Sequence, residues 1–362
     1  MDYRSRWKQK RRERATRQRL ILIVGLLLAV VGAVLWYRGI ARSAPTGYQL
    51  PGPVISHLTA TTDGLLITTR TGELRKVTPQ LTDVREGWVT PFTHPAGFWG
   101  RAAITDGTAL LGCEDVRVRA VDVTTGVQTW ELEVGGAVPG VTGIGQYAYF
   151  ASAEPALYAV TAEGTQIWRT PLQAEVASSP LVTEETVVVG TLEGSICAYE
   201  RASGARLWCV EPPFTSPIYA RPTMGPSSIL VGDDGGLLHS IARTGELLAS
   251  MEFEGLIRQP VAAQDAVVVV GDSTGLVRRI NPADMTEIWS TTIPGVLTSE
   301  PIIEGNRAWC GAGRNLIALD VDSGSTVIRR VAEAHTCDVT MAHGRIYWAT
   351  TDGRIGAVST SD

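Results

Sequence analysis

Short apolar runs separated by glycine-containing turns recur along the chain from about residue 45 onward. The clearest unit has four such runs, at residues 178–182, 186–190, 192–199 and 203–208. The runs are rich in β-branched residues and each is too short for a typical helix, so they predict β-strands. Glycine supplies the positive φ angles that tight turns between such strands require.

A tryptophan near the end of most units sets the period of the repeat. The residues at this position are Trp88, Trp130, Trp168, Trp208, Leu248, Trp289 and Ile328. They are separated by 42, 38, 40, 40, 41 and 39 residues. Propeller blades of four strands repeat every 40–50 residues or so. We expect each tryptophan to lie on an outer strand and to pack between neighbouring blades.

Eight units can be counted, and they predict an all-β, eight-bladed β-propeller with four-stranded antiparallel blades. The units span residues 57–90, 99–132, 138–170, 177–210, 218–250, 257–291, 297–330 and 336–359. The last unit has only three runs, and residues 48–55 are left over before the first unit. We predict that the leftover segment pairs antiparallel with residues 354–359 and closes the ring, which removes an exposed strand edge.

The N-terminal region predicts a membrane anchor. Residues 1–19 contain nine basic and two acidic side chains, for a net charge of +7. The following 18 residues, from Leu20 to Tyr37, carry no charge, and about 20 apolar residues are enough for a helix to span a bilayer. The predicted segments are a basic cytoplasmic arm (1–19), a transmembrane helix (20–38), a linker (39–47) and the propeller (48–362).

The flanking charges predict the orientation of this anchor. Basic residues before a span keep that end in the cytoplasm, which places the propeller on the extracytoplasmic side of the cell membrane in a single-pass protein. The alternative is a cleaved signal peptide. Such peptides have a shorter apolar region followed by small residues, whereas Arg38 and Arg42 follow the span here.

The charge of the remaining chain bears on its partners. Residues 20–362 contain 23 basic and 35 acidic side chains, for a net charge of −12. Nucleic-acid binding requires a positive surface, so we expect no nucleic acid as a partner of the propeller.

The five cysteines lack the spacing of a metal site. Cys113, Cys197, Cys209, Cys310 and Cys337 include no CxxC pair, so a zinc site is not predicted. Cys197 and Cys209 flank a turn and face each other across a predicted hairpin. Two readings stay open for them: a disulfide, which an exported protein permits, or two small buried apolar side chains.

The repeat resembles that of the PQQ-like repeat family. The residues that carry the resemblance include Ser179-Pro180, Val188-Val189-Gly190, Ala198-Tyr199, Ser203-Gly204 and Leu207-Trp208. It extends over about residues 48–362 and implies the propeller fold. A fold alone does not fix a function.

Two branches of that family imply different functions. Quinoprotein dehydrogenases bind pyrroloquinoline quinone and calcium and carry an adjacent cysteine pair and Glu, Asn and Asp ligands. This chain has no such pair, and its only asparagines are Asn281, Asn306 and Asn315. The other branch resembles the non-catalytic outer-membrane protein assembly factor BamB. This second resemblance implies a protein-binding scaffold in envelope protein assembly, with no cofactor and no metal. The alternatives are the quinone-dependent dehydrogenase and a ligand-sensing ectodomain.

Other motifs point to turns or to scattered side chains. Asp233-Asp234-Gly235-Gly236 and Asp272-Ser273-Thr274-Gly275 lack the alternating ligands of a calcium loop, so we interpret them as turns. The five histidines show no metal or catalytic spacing, and no catalytic residue is predicted.

The candidate binding residues are chosen by position. Residues just before the first strand of each blade should lie near the mouth of the central channel. They include Arg101, Arg221, Arg258, Gln259, Glu300 and Asp338. Three arginines together could bind an anion or an acidic loop. The alternative is a solvated rim whose charges offset each other.

Overall fold

The computed structural model describes residues 47–50, 55–81, 88, 92–210 and 216–360. These residues form 32 β-strands in eight four-stranded antiparallel sheets. The strands belong to one compact unit, Gly47–Asp362. In the part of the chain that the structure describes, no helix is long and apolar enough to cross a membrane. The predicted span from Leu20 to Tyr37 and the basic arm lie outside the described residues.

The first four blades follow one another along the chain. Blade 1 contains β2 Ile55–Ala60, β3 Leu65–Thr69, β4 Glu73–Val77 and β5 Phe92–Thr93. Blade 2 contains β6 Ala103–Thr105, β7 Thr108–Gly112, β8 Arg117–Asp122 and β9 Gln128–Glu133. Blade 3 contains β10 Val141–Ile144, β11 Tyr147–Ser152, β12 Ala156–Thr161 and β13 Gln166–Pro171. Blade 4 contains β14 Leu181–Val182, β15 Thr186–Gly190, β16 Ile196–Glu200 and β17 Arg206–Val210.

The last four blades repeat this arrangement. Blade 5 contains β18 Thr223–Met224, β19 Ile229–Gly232, β20 Leu237–Ile241 and β21 Leu247–Glu252. Blade 6 contains β22 Ala262–Gln264, β23 Val267–Gly271, β24 Leu276–Ile280 and β25 Glu287–Thr292. Blade 7 contains β26 Ile302–Glu304, β27 Arg307–Ala312, β28 Asn315–Asp320 and β29 Thr326–Val331. Blade 8 contains β30 Thr336–Ala342, β31 Arg345–Thr350, β32 Arg354–Ser359 and, from the start of the unit, β1 Tyr48–Gln49.

The prediction of eight four-stranded blades is confirmed, and the ring closes as expected. Strand β1 pairs antiparallel with β32, with Tyr48 opposite Ile355 and Gln49 opposite Arg354. The predicted closing segment was too long, because Ile55 begins strand β2 of blade 1. Blade 8 therefore joins both ends of the propeller.

The burial of each strand follows its place in the blade. Middle strands such as β15 and β28 are buried along nearly their whole length, because neighbouring blades cover both of their faces. Outer strands such as β9 alternate between half-buried and exposed residues, because solvent covers one face. The first strands of neighbouring blades contact one another around the ring, for example β2 with β30 and β22 with β26. They therefore line its centre.

The repeated tryptophan joins five of the blades to the next one. Trp168 on the outer strand of blade 3 donates its indole N–H to the carbonyl of Arg201 in blade 4, at 3.0 Å. The ring packs on Gly204, where an added Cβ would lie 2.6 Å from it. The same bond to the next blade is made by Trp88, Trp130, Trp208 and Trp289. The predicted packing of tryptophan between blades is confirmed, but the predicted place on the outer strand is wrong for Trp88, because the outer strand of blade 1 is β5 Phe92–Thr93.

The junction between blades 5 and 6 uses a different pair of residues. Leu248 holds the tryptophan position and is 53% exposed. In the facing turn Met285 takes the place of the glycine, with φ of 58°, and it is buried in the core between these blades. The tryptophan and the turn glycine are thus both replaced at this junction, and the buried Met285 contributes to the core there.

The two cysteines of the blade 4 hairpin form a disulfide. Cys197 on β16 lies opposite Cys209 on β17, and their sulfur atoms are bonded. This settles the alternative that the sequence left open. Cys113, Cys310 and Cys337 are free thiols.

Candidate functional site

All six candidate residues line one open cavity at the ends of the first strands. Five of them precede the first strand of their blade as predicted, whereas Asp338 lies within β30. The cavity has a volume of about 520 Å³, within the range of about 300–1,000 Å³ typical of ligand sites. Its wall includes Arg101, Arg221, Arg258, Gln259, Glu300 and Asp338. The structure therefore brings together side chains that lie up to 237 residues apart in the sequence. Their role in binding stays a prediction.

Arg101 and Asp338 form an ion pair on the wall of this cavity. The Arg101 Nη2 atom donates to Asp338 Oδ1 at 2.6 Å and to the carbonyl of Val339 at 2.9 Å. The other Asp338 oxygen accepts a hydrogen bond from the backbone N–H of Leu58 at 2.7 Å. His57 lies beside it, with Nδ1 3.7 Å from Asp338 Oδ2. One buried carboxylate thus joins blades 8, 1 and 2.

The surroundings of Asp338 favour its charged form. Burial alone would raise its pKa, because an ionised carboxylate loses its hydration inside the protein. The positive charge of Arg101, the neighbouring His57 ring and the Leu58 N–H act in the opposite direction. Together they hold the pKa of Asp338 below its ordinary value.

The other two arginines of the cavity also have carboxylate partners. Arg221 Nη2 donates to both oxygens of Glu300, at 3.0 and 3.2 Å, and so joins blades 5 and 7. Arg258 makes a two-pronged contact with Asp234, from Nε at 2.8 Å and from Nη2 at 2.7 Å. Each guanidinium is therefore balanced locally, and an anion entering the cavity would compete with these carboxylates. The geometry therefore matches a solvated rim whose charges offset each other better than an open cluster of arginines.

Two exposed aromatic residues at the same cavity were not singled out by the sequence. Trp99 and Tyr219 are 43% and 41% exposed, and both contribute to the wall. Arg70 lies 5.0 Å from the centre of the Trp99 ring, and Arg258 lies 5.1 Å from that of Tyr219. A cation within about 6 Å of a ring face is attracted to it. The signal in the sequence was that Trp99 falls outside the periodic tryptophan position.

The acidic turns serve the backbone, as predicted. Asp233 Oδ1 accepts hydrogen bonds from the N–H groups of Gly235 and Leu237, at 2.9 and 2.8 Å. Asp272 Oδ1 accepts from Thr274 and Leu276 in the same way, at 2.9 and 3.1 Å. Among the described residues, no group of three or more His, Cys, Asp and Glu side chains is arranged to hold a metal ion.

A serine–histidine–aspartate chain lies elsewhere, in blade 5, where His239 and Asp233 are buried and Ser250 is exposed. His239 Nδ1 is 2.9 Å from Ser250 Oγ, and His239 Nε2 is 3.2 Å from Asp233 Oδ2. Blade 2 has a similar connection, in which Arg119 joins Asp115 of the turn to Glu131 of the outer strand. His239 and Arg119 are different side chains, yet each links a turn to the outer strand of its blade. We therefore interpret both links as contacts that stabilise the blade.

The asparagines do not meet the needs of a quinone site. Asn315 donates to the backbone carbonyls of Pro294 and Ala312, at 2.9 and 3.1 Å. Asn306 donates to Asp320 at 2.8 Å, in a turn. Asn281 accepts from the N–H of Ala283 at 3.1 Å. None of the three is on the wall of the channel-mouth cavity.

Comparison with known proteins identifies the family. A family model described as outer membrane protein assembly factor BamB matches residues 114–223 and 273–362. Together these segments make up more than half of the chain. The chain belongs to this family. The parts matched to the BamB family include Arg221, Glu300 and Asp338, whereas Arg101, Arg258 and Gln259 fall outside them.

Individual BamB proteins are similar at lower identity. The BamB of Burkholderia pseudomallei is 26% identical over 215 residues, which cover 56% of this chain and 54% of the relative. The BamB of Yersinia pestis is 25% identical over 259 residues, which cover 67% of this chain and 59% of the relative. The chain thus spans between half and three-fifths of the length of these two relatives.

Solved structures show the same fold. The crystal structure of BamB from Moraxella catarrhalis superposes with a TM-score of 0.74 at 18% identity, covering 86% of this chain and 98% of that one. A computationally designed protein, Ika8, gives 0.77 at 16% identity, over 86% and 98% of the two chains. The Saccharomyces cerevisiae protein Sqt1 gives 0.75 at 10% identity, over 86% and 97%. A designed protein and a yeast protein share this architecture with BamB, and so the fold by itself carries no function.

Proposed function

We propose that this chain is a membrane-anchored, non-catalytic β-propeller that binds a partner protein during the assembly of outer-membrane proteins. The observation that carries the proposal is the pair of exposed aromatics, Trp99 and Tyr219, on the wall of the channel-mouth cavity. Tryptophan, tyrosine and arginine supply most of the residues that dominate binding energy at protein interfaces. Here an arginine lies over each aromatic ring.

The ion pairs of the cavity suit protein recognition better than catalysis. A protein interface has a central apolar contact surrounded by polar groups that are already satisfied. The pairs of Arg101 with Asp338 and Arg221 with Glu300 fix both carboxylates in place. Such fixed pairs offer a partner a rigid, nearly neutral wall around the aromatic rings, with little rearrangement required on binding.

The membership of the BamB family supplies the biological setting of the proposal. The similar proteins are named as outer membrane protein assembly factors. We carry the assembly role to this chain as a proposal, since the matches span only part of those relatives.

The anchor is proposed from the N-terminal sequence. An uncharged stretch between Leu20 and Tyr37 after a +7 arm supports an anchor with the propeller on the extracytoplasmic side. Washing membranes with alkaline carbonate should leave the full-length chain in the pellet. A shorter soluble chain starting near residue 45 would show a cleaved signal instead.

The alternative hypothesis of a quinone-dependent dehydrogenase has a direct test. Titration with pyrroloquinoline quinone and calcium, followed by absorbance and calorimetry, should show no tight binding. Sub-micromolar quinone binding together with dye-linked alcohol oxidation would contradict the scaffold proposal. Specific binding of a small molecule without turnover would favour the ligand-sensing alternative.

The assembly role is tested in cells that lack the protein. Without it, the amount of folded β-barrel protein in the outer membrane should fall, and the full chain should restore it. A Trp99→Ser/Tyr219→Ser variant should be present at the normal level but should restore less. Full restoration by this variant would show that the aromatic pair is not the binding element. Unchanged barrel levels in the deleted strain would contradict the assembly role itself.

A further inference from the structure

A second cavity lies between the outer parts of blades 3 and 4, at the opposite ends of the first strands from the channel mouth. We call it the blade 3–4 groove and define it by Tyr147, Ile167, Glu184, Glu185, Arg201 and Leu207. Its volume is about 830 Å³. It shares no wall residue with the channel-mouth cavity.

The floor of the groove is apolar and open to solvent. Ile167 on β13 and Leu207 on β17 are 45% and 52% exposed. Both lie immediately before the tryptophan of their blade. An exposed aliphatic residue also precedes this position in later blades, for example Ile288. Exposure alone therefore does not distinguish this groove from the rest of the outer surface.

The adjacent turn does distinguish it. The turn between β14 and β15 carries two neighbouring carboxylates, Glu184 and Glu185, both exposed. The corresponding turns of the other seven blades, all of which are described, carry at most one carboxylate. Neither glutamate has an ion-pair partner among the described residues, in contrast to the carboxylates of the channel mouth. Glu200 adds a third carboxylate to the wall, and Arg201 is its one guanidinium.

The groove is held in shape by backbone hydrogen bonds. The N–H of Arg201 donates to the carbonyl of Glu185 at 2.8 Å and ties the two turns of blade 4 together. Trp168 of blade 3 donates to the carbonyl of Arg201 at 3.0 Å. The apolar floor and the acidic edge are thus fixed relative to each other before anything binds, which lowers the entropic cost of binding.

We propose that the blade 3–4 groove binds a segment of a partner protein in which an aliphatic side chain is flanked by lysine or arginine. The aliphatic side chain covers Ile167 and Leu207, and the basic side chains approach Glu184 and Glu185. Charge complementarity decides the occupant, because the wall carries three carboxylates and one guanidinium. The inference goes beyond the proposed function, since it concerns a separate surface and needs neither Trp99 nor Tyr219.

The test selects peptides from a random phage-displayed library on the full-length chain in detergent. Enriched peptides should carry an aliphatic residue between basic residues. Their affinity should fall about tenfold for Glu184→Gln/Glu185→Gln, and should fall also for Leu207→Ser. It should weaken with salt, because exposed charges are screened.

A matched control separates the groove from general surface charge. Glu304→Lys in the corresponding turn of blade 7 raises the net charge by two, as the double glutamine variant does, and should leave affinity within about twofold. Trp99→Ser/Tyr219→Ser should also leave it unchanged, which separates this proposal from the channel-mouth proposal. Enrichment of acidic peptides, no enrichment, or an equal loss with Glu304→Lys would overturn the inference.

Discussion

Arg101 and Asp338 join blade 2 to blade 8, with Nη2 and Oδ1 2.6 Å apart, while the same carboxylate accepts the N–H of Leu58 in the blade between them. The Asp338 side chain is almost fully buried and that of Arg101 is 37% exposed. Removing one partner of such a pair leaves the other charge without compensation. This contact therefore couples the closing blade to its two neighbours along the ring.

Replacing Arg101 by glutamine should destabilise the propeller. We expect the free energy of unfolding to fall by about 1–3 kcal/mol, less than for a fully buried pair because solvent screens the guanidinium. Urea denaturation of the two proteins measures this difference. Arg258→Gln is the control, because the Arg258 side chain is 54% exposed beside Asp234, and it should cost less than about 1 kcal/mol. Equal losses for both variants would contradict the special role of Asp338.

The same pair predicts the response to acid. The pKa of Asp338 is lowered from its ordinary 3.8 in the folded protein. Its stabilising contribution is therefore complete above that ordinary value and is lost as the pH falls through the lowered folded value. In Arg101→Gln the pKa should rise, so acid unfolding should begin at a higher pH than in the original protein. Coincident acid-unfolding curves would contradict this assignment.

Alanine substitutions at Gly204 and Gly107 distinguish the cost of crowding the tryptophan ring from the cost of backbone strain. Both glycines have φ of 73°. An added Cβ meets the Trp168 ring at 2.6 Å in Gly204, whereas nothing lies within 4 Å of one at Gly107. Alanine should cost about 1 kcal/mol at position 107 from strain alone, and about 1–3 kcal/mol more at position 204 from crowding. Thermal melting of the two variants checks this, and equal shifts would show that the ring moves aside freely.

The disulfide of blade 4 predicts a thiol count and a loss of stability. Alkylation under denaturing conditions should label Cys113, Cys310 and Cys337, and all five cysteines only after reduction. Replacing Cys197 and Cys209 by serine should lower the free energy of unfolding by about 2–3 kcal/mol, as for other bridges that close short loops. Labelling of all five without a reductant would mean that the two sulfurs are not bonded.

Closure of the ring is tested by a short truncation. Leu50 is buried in the core between blades 8 and 1, and β1 covers the edge of β32. A chain beginning at residue 51 should therefore melt lower, or aggregate more, than one beginning at residue 47, because the β32 edge is exposed. Both lack the N-terminal region, so the comparison isolates residues 47–50, which contain β1 and the buried Leu50. Identical melting and solubility would show that the outer strand of blade 8 is dispensable.

The parts of this structure that the sequence predicted are those that repeat. The tryptophan period revealed the blades because each ring makes the same bond to the next blade. Single features escaped prediction. One example is the junction of blades 5 and 6, where Met285 replaces the turn glycine and Leu248 replaces the tryptophan.

The sequence located the candidate site, but it did not predict which charged side chains pair with one another there. Position near the start of the first strand placed Arg101 and Asp338 at the channel mouth, because every blade begins there. Their pairing depends on side-chain directions across two blade boundaries, and no local pattern records such directions. Trp99 escaped because tryptophan was interpreted as a core residue of the repeat, whereas this one is turned toward the cavity.

The most direct test of protein binding at the channel mouth is site-specific photocrosslinking in cells. A photoreactive amino acid at Gln259, on the cavity wall, should form an adduct with a partner protein in the full-length chain. The adduct should be lost in Trp99→Ser/Tyr219→Ser and absent when the probe is placed at Val127, which is 62% exposed at a turn far from the mouth. No adduct at Gln259, or the same adduct at Val127, would contradict the account.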